Sequence, residues 1–155
     1  MYAVMVERIG QVLGRSDQAE VLVADLHDLD AEIGAGLADC QRREIVTSHT
    51  AFGYLARRYD LEQIGITGLS PEAEPAPGDL RDLVEEVREH DATTVFFETL
   101  VSPRLADTVA REVGAETAVL NPLEGLREEE IDAGMDYFSV MRENLRTLRQ
   151  ALGCR

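Results

Sequence analysis

From Glu44 onward the chain alternates short β-type runs with helix-type segments, and this alternation limits its fold more tightly than any other feature. Ile45-Val46-Thr47, Gln63 to Thr67, Thr94-Val95-Phe96-Phe97 and Thr117 to Leu120 are the β-type runs. Between them lie three helical segments: His49 to Arg58, Asp79 to Glu89 after a Pro-rich loop from Ser70 to Gly78, and Pro103 to Val113. Pro103 opens the third where proline is tolerated, and Gly114 closes it. Strands separated by helices need crossover connections and so give a parallel sheet. The fold class expected is therefore α/β: a four-stranded parallel sheet flanked by helices on both faces, with strands near 44–48, 63–67, 93–98 and 116–120. Ile45-Val46-Thr47 and Val95-Phe96-Phe97 have the continuous apolar or β-branched character of strands covered on both sides.

The first forty residues read differently. Leu22, Leu26, Leu29, Ile33 and Leu37 recur at three- and four-residue steps and mark one face of a long helix. Val4, Met5, Ile9 and Val12 mark a shorter helix before it, separated by Gly14-Arg15-Ser16-Asp17, with Ser16 or Asp17 as N-cap. A last helix carries Ile131, Met135, Phe138, Met141, Leu145, Leu148 and Leu152 on one face. This divides the chain into helices over 1–40 and a lobe over 41–155.

Charge and motifs narrow the function. Thirty acidic residues face fifteen basic ones, all of them Arg, for a formal charge of −15, so nothing here would neutralise a phosphate backbone and nucleic acid is excluded as a partner. No apolar run approaches the roughly 18 residues of a membrane span, and no basic segment followed by an apolar stretch marks a signal peptide. The chain has no G-x-S-x-G elbow, P-loop or G-x-G-x-x-G. Ser48 adjoins His49, but neighbours on a strand end point to opposite faces, which argues against a Ser–His pair. Glu98 with Glu124 would suit acid/base work on a sugar, but 5% aromatic residues and no Trp leave little stacking surface. No catalytic residue and no enzyme is expected.

In parallel sheets the ligand site lies beyond the carboxyl ends of the strands. That rim holds His49, Thr67 to Ser70, Glu98 and Asn121 to Glu124. One imidazole and two carboxylates there suit a first-row divalent cation; the plainer reading of His49 is a helix N-terminal residue without a ligand. His27, among Asp25, Asp28 and Asp30, reads as solvated, and His90 suits the C-terminal dipole of its helix.

Four motifs appear in order: Thr47-Ser48-His49-Thr50-Ala51-Phe52-Gly53-Tyr54-Leu55, Gly68-Leu69-Ser70-Pro71-Glu72-Ala73-Glu74-Pro75, Phe97-Glu98-Thr99, and Leu120-Asn121-Pro122-Leu123-Glu124-Gly125-Leu126. Together, over roughly residues 17 to 155, the chain resembles the C-terminal lobe of the zinc-binding proteins of bacterial ABC importers, the cluster A-I solute-binding family. The resemblance implies two Rossmann-like lobes joined by a long linker helix, with metal held between them by three histidines and a carboxylate. His49 matches the third histidine, and its being His favours zinc over manganese. Glu124 matches the carboxylate of the streptococcal-type zinc binders, although other relatives carry an Asp at the place of Asn121. Glu98 is then either support for the histidine or a carboxylate favoured by a helix N-terminus.

The expected function is that of the zinc-binding component of an ABC-type importer, capturing Zn2+ through His49 and Glu124 for the permease, outside the cytoplasm in the periplasm or lipid-anchored at the surface. Set against that resemblance, the N-terminal lobe with the first two histidines is expected to be missing here. A two-ligand remnant is expected to bind zinc weakly unless two chains pool ligands as a homodimer or water completes the shell. The competing expectation is a lobe that keeps the fold and has lost the metal. Cys40 and Cys154 lie at the two ends of this exported lobe and are expected to form a disulfide with Cα atoms about 4.4–6.8 Å apart; the alternative is two free thiols.

Overall fold

The four β-type runs form one parallel sheet in the order β2-β1-β3-β4 in a computed structural model that describes residues 2–67, 77–90, 92–98 and 102–155. The strands are β1 (Glu44–Thr47), β2 (Glu62–Gly65), β3 (Thr94–Phe97) and β4 (Glu116–Val119). The helices are α1 (Tyr2–Val12), α2 (Ser16–Gly36), α3 (Gly53–Arg58), α4 (Pro77–Glu89), α5 (Arg104–Val113), α6 (Glu128–Asp132) and α7 (Tyr137–Leu152). Register runs Glu44 to Glu62 between β1 and β2, Val46 to Val95 between β1 and β3, and Thr94 to Glu116 between β3 and β4. The second motif, most of the Pro-rich loop and Thr99 lie outside the described residues.

Alternate strand residues serve two cores, as the period of two requires. Ile45 and Phe96 point into a cluster built with Leu29, Ile33 and Leu37 of the α2 end and Leu145, Leu148 and Leu152 of α7. Val46 and Val95 point into the opposite cluster with Val84, Val87, Ala106 and Val109 of α4 and α5. Each such fully buried side chain contributes roughly 1.5–3 kcal/mol by leaving water.

Several local expectations need correction. The helix expected from His49 begins only at Gly53, because residues 48–52 form the turn that leaves the strand. The expected last helix is two, α6 and α7. Gly134 at φ 74° ends the first, and Asp136 opens the second by accepting the Ser139 N–H at 2.8 Å while Ser139 Oγ accepts from the Asp136 N–H at 2.8 Å. Neither Ser16 nor Asp17 caps α2; Arg15 is its N-cap, without a side-chain bond. α1 meets α2 where a Cβ on Gly10 would lie 2.4 Å from that of Ala19, so the two helices touch through small residues. Val4, Met5, Ile9 and Val12 are consequently exposed, as is Leu22, whereas Leu29, Ile33 and Leu37 of the same long-helix face are buried.

Cys40 and Cys154 are bonded. Their Cα atoms are 3.8 Å apart, closer than expected. The two segments are drawn together by backbone bonds: the N–H groups of Gln41 and Arg42 donate to Leu152 O at 3.1 and 3.2 Å, and that of Arg155 to Asp39 O at 2.9 Å. The bridge joins the chain beyond α2 to the end of α7.

Candidate metal centre

The strand order places the site. The chain goes from β1 outward to β2, then returns to lay β3 on the other side of β1, so the crevice beyond the carboxyl ends of β1 and β3 is the topological switch point. His49 follows β1 and Glu98 follows β3. Both are almost wholly buried.

The His49 backbone is pinned by its own neighbours. Its carbonyl accepts from Thr47 Oγ1 at 2.8 Å, from Gln63 Nε2 at 3.1 Å and from the Ala51 N–H at 3.0 Å. Gln63 also donates to Thr47 Oγ1 at 2.7 Å, locking β2 to the turn. Gly65 permits this closeness, since a Cβ there would lie 2.4 Å from Thr50 Cγ2 and 2.9 Å from Thr67 O.

Each imidazole nitrogen faces a carboxylate. Nδ1 lies against Glu98 Oε1, and Nε2 faces Glu124 Oε1 at 3.9 Å. Ser48 Oγ donates to the same Glu98 oxygen at 3.4 Å. Ser48 and His49 therefore converge on one carboxylate, contrary to the expectation that they point apart. Ser48 keeps its backbone in the ladder, its N–H donating to Phe96 O at 2.9 Å and its carbonyl accepting from the Thr67 N–H at 3.0 Å, and the chain turns at His49, where the alternation of strand side chains ends.

Burial raises the Glu98 carboxyl above the ordinary carboxylate range; the charge of Glu124 adds to this, and His49 and the Ser48 hydroxyl oppose it. Glu124 differs in setting, with its side chain 55% exposed. Asn121 is buried and its Oδ1 accepts the Leu123 N–H at 2.8 Å, so its side chain is occupied within the loop. One ligand atom from each of His49, Glu98 and Glu124 lies within 4.8 Å of the others, and this is the single such trio among the described residues.

His49, Ala51, Gly53, Tyr54, Arg57, Pro122 and Glu124 line an open depression of about 540 Å³ at this rim. A larger one, about 750 Å³, lies at the amino ends of β3 and β4 beside Thr93, Thr94 and Glu116, away from the trio. His27 is exposed on α2 and His90 follows α4; neither joins the cluster. No helix of the described residues is long and apolar enough to cross a membrane.

The arrangement can offer a borderline cation one imidazole nitrogen and one exposed carboxylate. Two metal–ligand bonds of about 2.0–2.2 Å span about 4.4 Å at most, so the 3.9 Å gap between Nε2 and Glu124 is within reach of a single ion. Sequence reasoning missed Asn144, a buried side chain of α7 whose amide bonds both backbone groups of Asn121. Its place in an otherwise apolar helix face was the available signal.

Comparison with known proteins matches residues 15–151 to the family model described as ZnuA, zinc-uptake complex component A, periplasmic. The chain is 44% identical over 130 residues to the high-affinity zinc uptake system protein ZnuA of Bacillus subtilis (strain 168), covering 84% of this chain and 41% of that one. It is 44% identical over 131 residues to the zinc-binding protein AdcA of Streptococcus pyogenes serotype M6, covering 84% and 25%. Among solved structures, the laminin-binding protein Lbp of Streptococcus pyogenes superposes with a TM-score of 0.83 at 32% identity, over 95% of this chain and 58% of that one. The Zn(II)-bound ZnuA-like domain of Streptococcus pneumoniae AdcA does so with 0.73 at 41% identity, over 89% and 52%. The chain thus spans between a quarter and three-fifths of the length of these relatives.

Proposed function

This chain belongs to the family of periplasmic zinc-uptake complex components A, and on that premise we propose that it captures Zn2+ through His49 and Glu124 for delivery to the permease of an ABC-type importer. The observation that carries this reading is the 3.9 Å approach of Glu124 to His49 Nε2 at the switch point of the sheet. With Nδ1 turned to Glu98, Nε2 is the nitrogen left for the ion. A buried carboxylate on the far ring nitrogen fixes the ring's orientation and raises its basicity as a ligand. Zinc is the cargo and is carried without chemical change, so the protein is a carrier and not an enzyme.

Zinc sites are four-coordinate. The positions that His49 and Glu124 leave open fall to water, to protein beyond these residues, or to a second copy pooling its own pair. The family is periplasmic by description and includes zinc-binding lipoproteins. An extracytoplasmic location agrees with the Cys40–Cys154 bridge, since disulfides persist in oxidising compartments.

The test is a zinc titration of the chain beside its His49→Ala variant. Micromolar or tighter binding that the substitution abolishes is the expected result. An intact fold that takes up no zinc overturns the proposal in favour of a lobe that has lost its metal.

A further inference from the structure

We propose that Asn144 is a positioning residue for the carboxylate of Glu124, acting through the backbone of Asn121. This rests on the reading of Glu124 as a zinc ligand and extends it to a helix that does not touch the ion.

Asn144 is 3% exposed on the face of α7 that also buries Val140, Leu145 and Leu148. An amide there is costly unless its polar atoms are paired. It is paired twice with one residue: Oδ1 accepts from the Asn121 N–H at 2.9 Å, and Nδ2 donates to the Asn121 carbonyl at 2.7 Å. This reciprocal pair takes the place of a neighbouring strand. It catches the chain one residue after Leu120, whose N–H donates to Phe97 O of β3 at 2.9 Å.

Asn121 then passes the constraint on. Its Oδ1 accepts the Leu123 N–H at 2.8 Å, closing a side-chain turn around Pro122, which has no N–H to offer. Leu123 is held at φ 63°, a left-handed conformation uncommon for a residue with a side chain. Glu124 follows directly. Its exposed carboxylate is thus set from the backbone side by a buried relay running α7, Asn144, Asn121, Leu123.

The relay matters because metal–ligand distances tolerate only about 0.2 Å. Leucine at position 144 would fill the space and leave both backbone groups of Asn121 unpaired. The C-terminal end of α7 is fastened by the Cys40–Cys154 bridge, so the helix is tied down there as well as at Asn144 near its middle.

The experiment is a double-mutant cycle on zinc affinity, read by competition with a chromophoric chelator, using the full chain. Glu124→Gln and His49→Ala are measured first; if neither weakens zinc, the ligand assignment fails and this inference falls with it. If they do, Asn144→Asp, which removes the donor to the Asn121 carbonyl, is expected to weaken zinc about 10-fold and to have no further effect in the Glu124→Gln background. Asn121→Ala leaves the Asn144 pair in place and removes only the bond to Leu123; it is expected to behave alike, and it carries the test if Asn144→Asp does not fold. An equal loss in both backgrounds, or a folded variant with unchanged affinity, overturns the inference, because a purely structural role would not depend on Glu124.

Discussion

Nδ1 of His49 rests against a carboxylate oxygen of Glu98, two almost wholly buried side chains delivered by the neighbouring strands β1 and β3. The imidazole ring is thereby oriented with Nε2 toward Glu124 and the open depression.

Removing that orientation should weaken zinc binding without abolishing it. Glu98→Ala is expected to cost about 10- to 100-fold in zinc affinity, the usual range for a partner behind a ligating histidine. Glu98→Gln, which keeps a carbonyl oxygen beside Nδ1, should lose less. Isothermal titration of the three proteins checks this, and equal affinities across them would show that Glu98 has no part in holding the ring.

The bridge between Cys40 and Cys154 closes a loop of 114 residues. The chain-entropy model gives about 4–5 kcal/mol of stabilisation for a loop of that size, as an upper figure. Adding reductant should lower the thermal midpoint of the native protein. Cys40→Ser with Cys154→Ser should melt at the reduced value and ignore the reductant. Identical melts with and without reductant would mean that the packing of α7 holds the lobe unaided.

Asp30 on α2 joins the long helix to the end of α3. Its Oδ1 accepts from Arg58 Nε at 2.8 Å and from the Tyr59 hydroxyl at 3.0 Å, while Arg58 Nη2 meets Oδ2. The Arg58 guanidinium, above all, holds the Asp30 carboxyl below the ordinary range. A lowered value in the folded protein means that the native state favours the ionised form. The resulting stability is complete above the unfolded value, about 3.9, and is lost as pH falls through the folded one. Asp30→Asn should therefore melt lower than the native chain at neutral pH, and the two curves should converge in strong acid. A difference in midpoint that does not change with pH would assign the effect to packing.

What the sequence determined by itself was local. The alternation of β-type runs and helices, with Gly114 and Pro103 as punctuation, depends on residues within a few positions of one another, and it specified the parallel sheet and the rim carrying His49, Glu98 and Glu124. The same short-range pattern could not tell which apolar faces would find a partner. Leu22 and Leu29 have equal claims on the helix face, yet only Leu29 is buried, because α7 and the sheet cover just the later part of α2. Nor does local pattern reveal where the chain turns out of its strand, and so where the alternation of side chains ends; Ser48 still bonds Phe96 and Thr67 on either side, the chain turns at His49, and the two side chains share Glu98. The pairing of Asn144 with Asn121 and the approach of Glu124 to His49 join residues far apart in the chain. Such contacts are decided by strand order and helix packing, which bring the ends of separate strands to one point.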